Sequence, residues 1–308
     1  MTNNTLMKAF KAFNFISGGS VTEADLKRHR AAMERAGRLT APRGNIRVTS
    51  FNAGNIRCEA IRPELAYNPH YVVLYAHGGG YLYGGLSYAR ILASKIAIAT
   101  GFTTVTFDYR LAPEHRYPAA LSDALAVWDM LTANRYTPGN ILLAGESAGG
   151  NLALCMIQEL VKEKRPIPSH LLLFSPWTDM TADSGSYETN KDIDPILTKE
   201  YITAASAAYI GDSDPADPRF SPLFGDLTHL PPTYIMAGRC GILLDDSIRL
   251  HDRILAGGGR ALLDIEENGW HVYQQMPIPI AQRAMKRLAA YVSESVYGEN
   301  LWEITGIN

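Results

Sequence analysis

From Tyr71 onward the chain alternates short apolar runs with longer amphipathic ones, and this alternation constrains the fold more than any other feature. The runs are Tyr71–Ala76, Thr103–Phe107, Ile141–Ala144, Leu171–Phe174, Tyr234–Ala237 and Ala261–Ile265. Strands that are apolar on both faces need cover on both faces. Helical patterns fall between and after them at Tyr88–Ala99, Ala119–Ala133, Ala148–Lys162, Ile242–Ala256 and Ala281–Ser293. The pattern predicts an α/β fold with a mostly parallel central sheet between two helical layers. Chemistry in such sheets collects at the carboxyl ends of the strands.

Two segments stand outside this rhythm. Before it, Asn45–Asn52 and Ile56–Arg62 read as strands that pair antiparallel at one edge. They follow two helical segments, the second capped by Thr22 with Asp25 three residues on and running to about Gly37. In the first, Leu6, Met7, Phe10 and Phe13 make an apolar face, more suited to packing on the protein itself than to a membrane surface. Within the alternation, Trp177–Phe220 offers no strand, only a helix near Lys199–Ile210 among polar and Pro/Asp-rich turns. So long an excursion suits a lid. The expected organisation is cap helices over 1–44, a catalytic domain over 45–176 and 221–308, and a cap insertion over 177–220.

Composition narrows the partners. With 46% hydrophobic residues and a net charge of −2, there is no electrostatic case for nucleic acid or an anionic membrane. No apolar run is long enough to span a bilayer, and Lys8 and Lys11 interrupt any secretory signal. Cys58, Cys155 and Cys240 have no metal-ligand spacing and read as reduced thiols of a cytoplasmic protein.

Three motifs carry chemistry. Gly145-Glu146-Ser147-Ala148-Gly149 joins an apolar strand to a helix, the context of a nucleophile elbow. There the Ser147 hydroxyl sits at a helix amino end that favours developing negative charge. His77-Gly78-Gly79-Gly80 follows an earlier strand, where glycine N–H groups can face an oxyanion. A phosphate loop is the alternative, but no Gly-Lys-Ser/Thr follows. The expected donors are Gly79, Gly80 and Ala148. His271 follows the last strand, in triad order after the serine. His115 and His229 lie in Pro-rich loops and His251 within a helix, so His271 is the expected base.

Together with Tyr109-Arg110-Leu111-Ala112-Pro113-Glu114, Ser175-Pro176-Trp177-Thr178-Asp179 and Ser221-Pro222-Leu223-Phe224, these motifs resemble the hormone-sensitive-lipase-like esterases, the bacterial family IV carboxylesterases of the α/β-hydrolase fold. The resemblance covers about residues 70–275. It implies a helical cap, no metal or organic cofactor and short-chain ester substrates, and homodimers are common in that family, so a homodimer is a candidate partner. Within the Tyr109–Glu114 run, a structural role bracing the oxyanion loop is expected. Tyr81, Tyr83 and Trp177 suit an apolar substrate pocket or the core equally.

The third triad position departs from that family. Aligning its acid motif on Gly241-Ile242-Leu243-Leu244-Asp245-Asp246-Ser247 places glycine where the acid belongs. Asp245, one helical turn on, and Asp179, after the preceding strand, are candidate replacements. Otherwise the triad is reduced to Ser147 and His271, and Asp245 and Asp246 are helix-start carboxylates. The expected reaction is hydrolysis of short to medium acyl esters through a Ser147 acyl-enzyme, with no cofactor. A ligand-binding protein with an impaired triad, as in the plant gibberellin receptors that resemble this family, and an amidase remain the rivals.

Overall fold

A computed structural model describes residues 22–41 and 44–298; the apolar face at Leu6–Phe13 lies outside the described residues. In chain order the elements are α1 (Glu23–Thr40), β1 (Ile46–Ala53), β2 (Ile56–Pro63), β3 (Val72–Ala76), α2 (Leu86–Thr100), β4 (Thr103–Phe107), α3 (Ala119–Asn134), β5 (Ile141–Glu146), α4 (Ala148–Lys162), β6 (His170–Phe174), the single turn α5 (Ser186–Thr189), α6 (Lys199–Ile210), β7 (Thr233–Gly238), α7 (Leu244–Ala256), β8 (Ala261–Glu266) and α8 (Pro279–Tyr297). The strands form one sheet in the order β1-β2-β4-β3-β5-β6-β7-β8. The β1–β2 and β2–β4 pairs are antiparallel, and every pair from β4 to β8 is parallel.

Strand periodicity sorts the apolar side chains into two cores. Leu74, Leu143, Leu173 and Ile235 face one layer, with Val127, Leu152 and Leu250 from α3, α4 and α7. Their chain neighbours Tyr75, Ala144, Phe174 and Met236 face the other, with Leu92 and Leu288 from α2 and α8. Burial on both faces explains why the central strands are uninterrupted apolar runs. The edge strand β8 is the exception, half-buried with Leu262 exposed and Asp264 facing the Tyr234 hydroxyl and Arg287.

Helix α1 begins as the sequence implies, Thr22 Oγ1 accepting the Asp25 N–H at 3.2 Å, but continues past Gly37 to Thr40. Gly37 lies against the backbone of Ser87 and Tyr88, where a Cβ would overlap, so α1 packs closely on the start of α2. Across the molecule's interior, α6 sends Tyr209 onto Tyr81, with ring centroids 3.7 Å apart, and Tyr201 onto Tyr83 at 6.1 Å. Both segments expected to form the cap therefore meet the chain just after the His77–Gly80 loop.

Candidate active site

The segments singled out as chemical lie past the carboxyl ends of strands: His77–Gly80 after β3, Ser147 after β5, Ser175 after β6, Gly241 after β7 and His271 after β8. Ser147 occupies a left-handed turn, φ 52° and ψ −121°, between β5 and α4. Such a conformation is unfavourable for a residue with a Cβ and persists only when its surroundings hold it. Here the Ser147 N–H donates to Phe174 O at 3.0 Å, and its carbonyl accepts from Gly150 N and Trp177 N, both at 3.0 Å. Gly145 and Gly149 are required by crowding, since a Cβ at either would overlap backbone of α4 or β3.

In the glycine loop, Gly79 and Gly80 adopt φ of 110° and 64°. A Cβ on Gly79 would meet the Tyr83 carbonyl and one on Gly80 the Tyr201 hydroxyl. The Gly78 N–H is consumed, donating to Glu146 Oε1 at 3.0 Å. The N–H groups of Gly79 and Gly80 donate to no acceptor among the described residues. Ala148 opens α4, and its N–H is one of those a helix start leaves unsatisfied. Three amide donors thus remain available around Ser147.

The loop is braced from behind. Tyr109 Oη donates to the His77 carbonyl at 2.7 Å, and the two rings stack with centroids 4.3 Å apart. Ala112 N donates to Tyr81 O, and Arg30 from α1 donates to both Leu82 O and Ala112 O at 2.8 Å while pairing with Glu114. His77 itself is fully enclosed, and burial lowers its pKa. Tyr81, Tyr83 and Trp177 belong to the core rather than to an open pocket. All three are buried, Tyr81 bonded to Asn151 and the Trp177 indole to Asp179 O.

Glu146 was not singled out in the sequence, yet it joins the glycine loop to the histidine loop. It is completely buried, and its second carboxylate oxygen accepts from Gln275 Nε2 at 2.6 Å. Gln275 lies four residues beyond His271, so one side chain beside Ser147 ties the glycine loop to the histidine loop. Burial raises the Glu146 pKa against the hydrogen bonds from Gly78 and Gln275. A polar residue between a buried strand and a buried helix was the available signal. The histidine loop has two further anchors: Lys95 Nζ donates to Gln274 O and Met276 O, and Val272 N donates to Ser175 Oγ at 3.3 Å.

His271 is 6% exposed, and its Nδ1 has no hydrogen-bond partner among the described residues. Burial alone lowers its pKa to about 3. Asp245 does not supply that partner. Helix α7 begins at Leu244 rather than Ile242, so Gly241 and Asp245 do not share a helical face. The Asp245 carboxylate instead accepts the Ser186 N–H at 2.7 Å. Asp179 is likewise committed, to Arg249 at 2.7 Å and to the Thr181 N–H and hydroxyl. Both line a surface cavity of about 440 Å³ with Asp183 and Phe224, and neither Ser147 nor His271 borders it. Asp246 holds the Thr178 and Asp179 N–H groups, and its burial pushes its pKa up to about 7.

Position 241, where the resemblance expects the acid, has room for a side chain. Its φ is outside the left-handed range, and a Cβ there would lie 3.4 Å from His271 N and 3.5 Å from Gly238 O, ordinary contact distances. The Gly241 carbonyl is fixed by Asn190 Nδ2 at 2.8 Å, and the next N–H by Asp194 Oδ2 at 2.8 Å.

A family model described as the alpha/beta hydrolase fold matches residues 73–275. The chain belongs to the α/β-hydrolase family. Among its relatives, an esterase of Acinetobacter venetianus is 31% identical over 86% of this chain and 88% of its own length. An acetyl-hydrolase of Streptomyces hygroscopicus is 33% identical over 88% and 89%. An esterase structure from the bacterial hormone-sensitive lipase family superposes with a TM-score of 0.88 at 30% identity, covering 96% of this chain and 98% of that one. These likenesses put the chain within the hormone-sensitive-lipase-like branch, alongside proteins named as esterases and an acetyl-hydrolase. Among the described residues, no helix is long and apolar enough to cross a membrane.

Proposed function

We propose that this α/β-hydrolase cleaves short to medium acyl esters through a Ser147 acyl-enzyme, with His271 as a base that has no carboxylate partner among the described residues. Three free amide donors around a strained serine support the reading best, because that arrangement serves a developing oxyanion. His271 takes the Ser147 hydroxyl proton as Oγ attacks the ester carbonyl. Gly79, Gly80 and Ala148 N–H groups receive the oxyanion. The alkoxide leaves with the proton from His271, and water attacks the acyl-enzyme with the same histidine as base.

The size limit rests on the enclosure of the loop by α1 and α6. The aromatic rings of Tyr81, Tyr83, Tyr201 and Tyr209 fill the space between the glycine loop and α6, which favours short acyl groups. Residence in the cytoplasm suits the free cysteines, of which Cys58 and Cys155 are buried and have thiol pKa values raised by desolvation.

The test is a series of p-nitrophenyl esters from acetate to palmitate. The reading expects turnover that peaks at short or medium chains and vanishes in Ser147→Ala. A palmitate optimum would remove the size limit, and comparable turnover of p-nitroanilides would make the protein an amidase.

A further inference from the structure

The same site has an unfilled role that the chain itself leaves open. A neutral imidazole that accepts a proton at Nε2 carries its own proton on Nδ1. In a Ser-His-Asp arrangement a buried carboxylate receives that Nδ1–H, fixes the tautomer and stabilises the imidazolium. Here Nδ1 is buried and unpartnered. A donor enclosed without an acceptor is costly.

Against the His271 backbone, Gly241 presents only a hydrogen where a Cβ would lie 3.4 Å from His271 N and 3.7 Å from His271 Cα. Asn190 and Asp194 hold the backbone of residues 241 and 242 in place from the other side. Cys240, the preceding residue, is partly exposed, so Gly241 lies one residue from solvent along the chain.

We propose that the space between Gly241 and His271 Nδ1 binds a small carboxylate anion, formate or acetate in size, which acts as the triad acid without being part of the chain. This rests on the ester-hydrolase reading and deepens it. The anion accepts the Nδ1–H and is not consumed. As Oγ attacks, the serine proton moves to Nε2, and the anion balances the imidazolium charge until that proton passes to the leaving alkoxide. Size should order the anions. Formate replaces the missing carboxylate with least crowding, acetate adds one methyl and propionate a longer chain in a buried place. Asp194, whose carboxylate serves the neighbouring N–H, opposes a second negative charge, so binding is weak and saturates only at high concentration. An esterase that releases a short acid would then speed up as its own product accumulates.

The experiment measures p-nitrophenyl butyrate hydrolysis by the full chain in sodium formate, acetate, propionate or chloride at matched ionic strength. The expected result is a saturable rise in kcat of roughly tenfold or more with formate, a fraction of the roughly 10⁴ that the acid is worth elsewhere. Acetate should give less, propionate and chloride nothing, and Gly241→Asp should be faster from the start and indifferent to formate. Turnover that formate raises no more than chloride does would refute the anion site and leave the esterase standing. Equal activation of Gly241→Asp would place the anion elsewhere and also refute it. A folded protein that turns over no ester, with formate or as Gly241→Asp, would bring down the esterase reading and this site with it.

Discussion

The two sides of the site are finished to different degrees. On the serine side every constraint is met: the left-handed turn is bonded at both ends, flanking glycines clear the helix, and Tyr109, Arg30 and Glu146 hold the oxyanion loop. On the histidine side the loop is equally well anchored, by Lys95, Ser175 and Gln275. The imidazole it carries, however, has a buried nitrogen without a partner. Placing a base and polarising it are therefore separate tasks. Backbone anchors accomplish the first, and only an acceptor at Nδ1 accomplishes the second.

This contrast can be broken from either side. The largest effect belongs to the serine: Ser147→Ala should lower kcat by up to about 10⁶, the scale seen when a serine hydrolase loses its nucleophile. Here the weaker base makes the fall smaller, and steady-state kinetics on p-nitrophenyl butyrate measures it. Next comes the oxyanion loop. Gly80→Ala would push a Cβ into the Tyr201 hydroxyl at φ 64°. Misaimed donors should cost about 10²–10³ in kcat, with KM changed far less. An unchanged kcat would remove Gly80 from the oxyanion hole.

A pH profile sharpens the histidine side. Only neutral His271 is a base, so activity should fall as pH drops through its pKa, which burial has lowered to about 3. The acidic limb should thus lie well below neutrality in the protein as it stands. A carboxylate at position 241 favours the imidazolium and raises that pKa, so the limb should move to higher pH in Gly241→Asp. The smallest effect is expected from Asp245→Asn. Its carboxylate caps the Ser186 N–H rather than serving His271. The rate should stay within a few-fold, and stability should fall by roughly 1–2 kcal/mol in urea titration. A collapse in kcat with stability intact would restore Asp245 as the acid.

What the sequence disclosed follows the range of the forces involved. The elbow, the glycine loop and the sheet were legible because each is specified by a few adjacent residues: a strand-turn-helix, a glycine run, an apolar alternation. Gly241 was legible as a departure for the same reason. The substitute acid was not, because whether Asp245 reaches His271 depends on where α7 begins, and Asp246, tied across to Thr178 and Asp179, takes part in setting that start. Glu146 and Gln275 lie 129 residues apart, and no local pattern announces their bond. Nor could spacing decide that Tyr81 and Trp177 were core, since an aromatic beside a glycine loop serves a pocket and a brace alike.

The most direct measurement is kcat/KM for p-nitrophenyl butyrate in the protein and in Gly241→Asp, side by side. The account predicts slow, Ser147-dependent turnover in the first and a rise of roughly 10²–10⁴ in the second, as Nδ1 gains its acceptor. Equal rates in two well-folded proteins would mean that His271 already has the partner it needs, and would contradict the account.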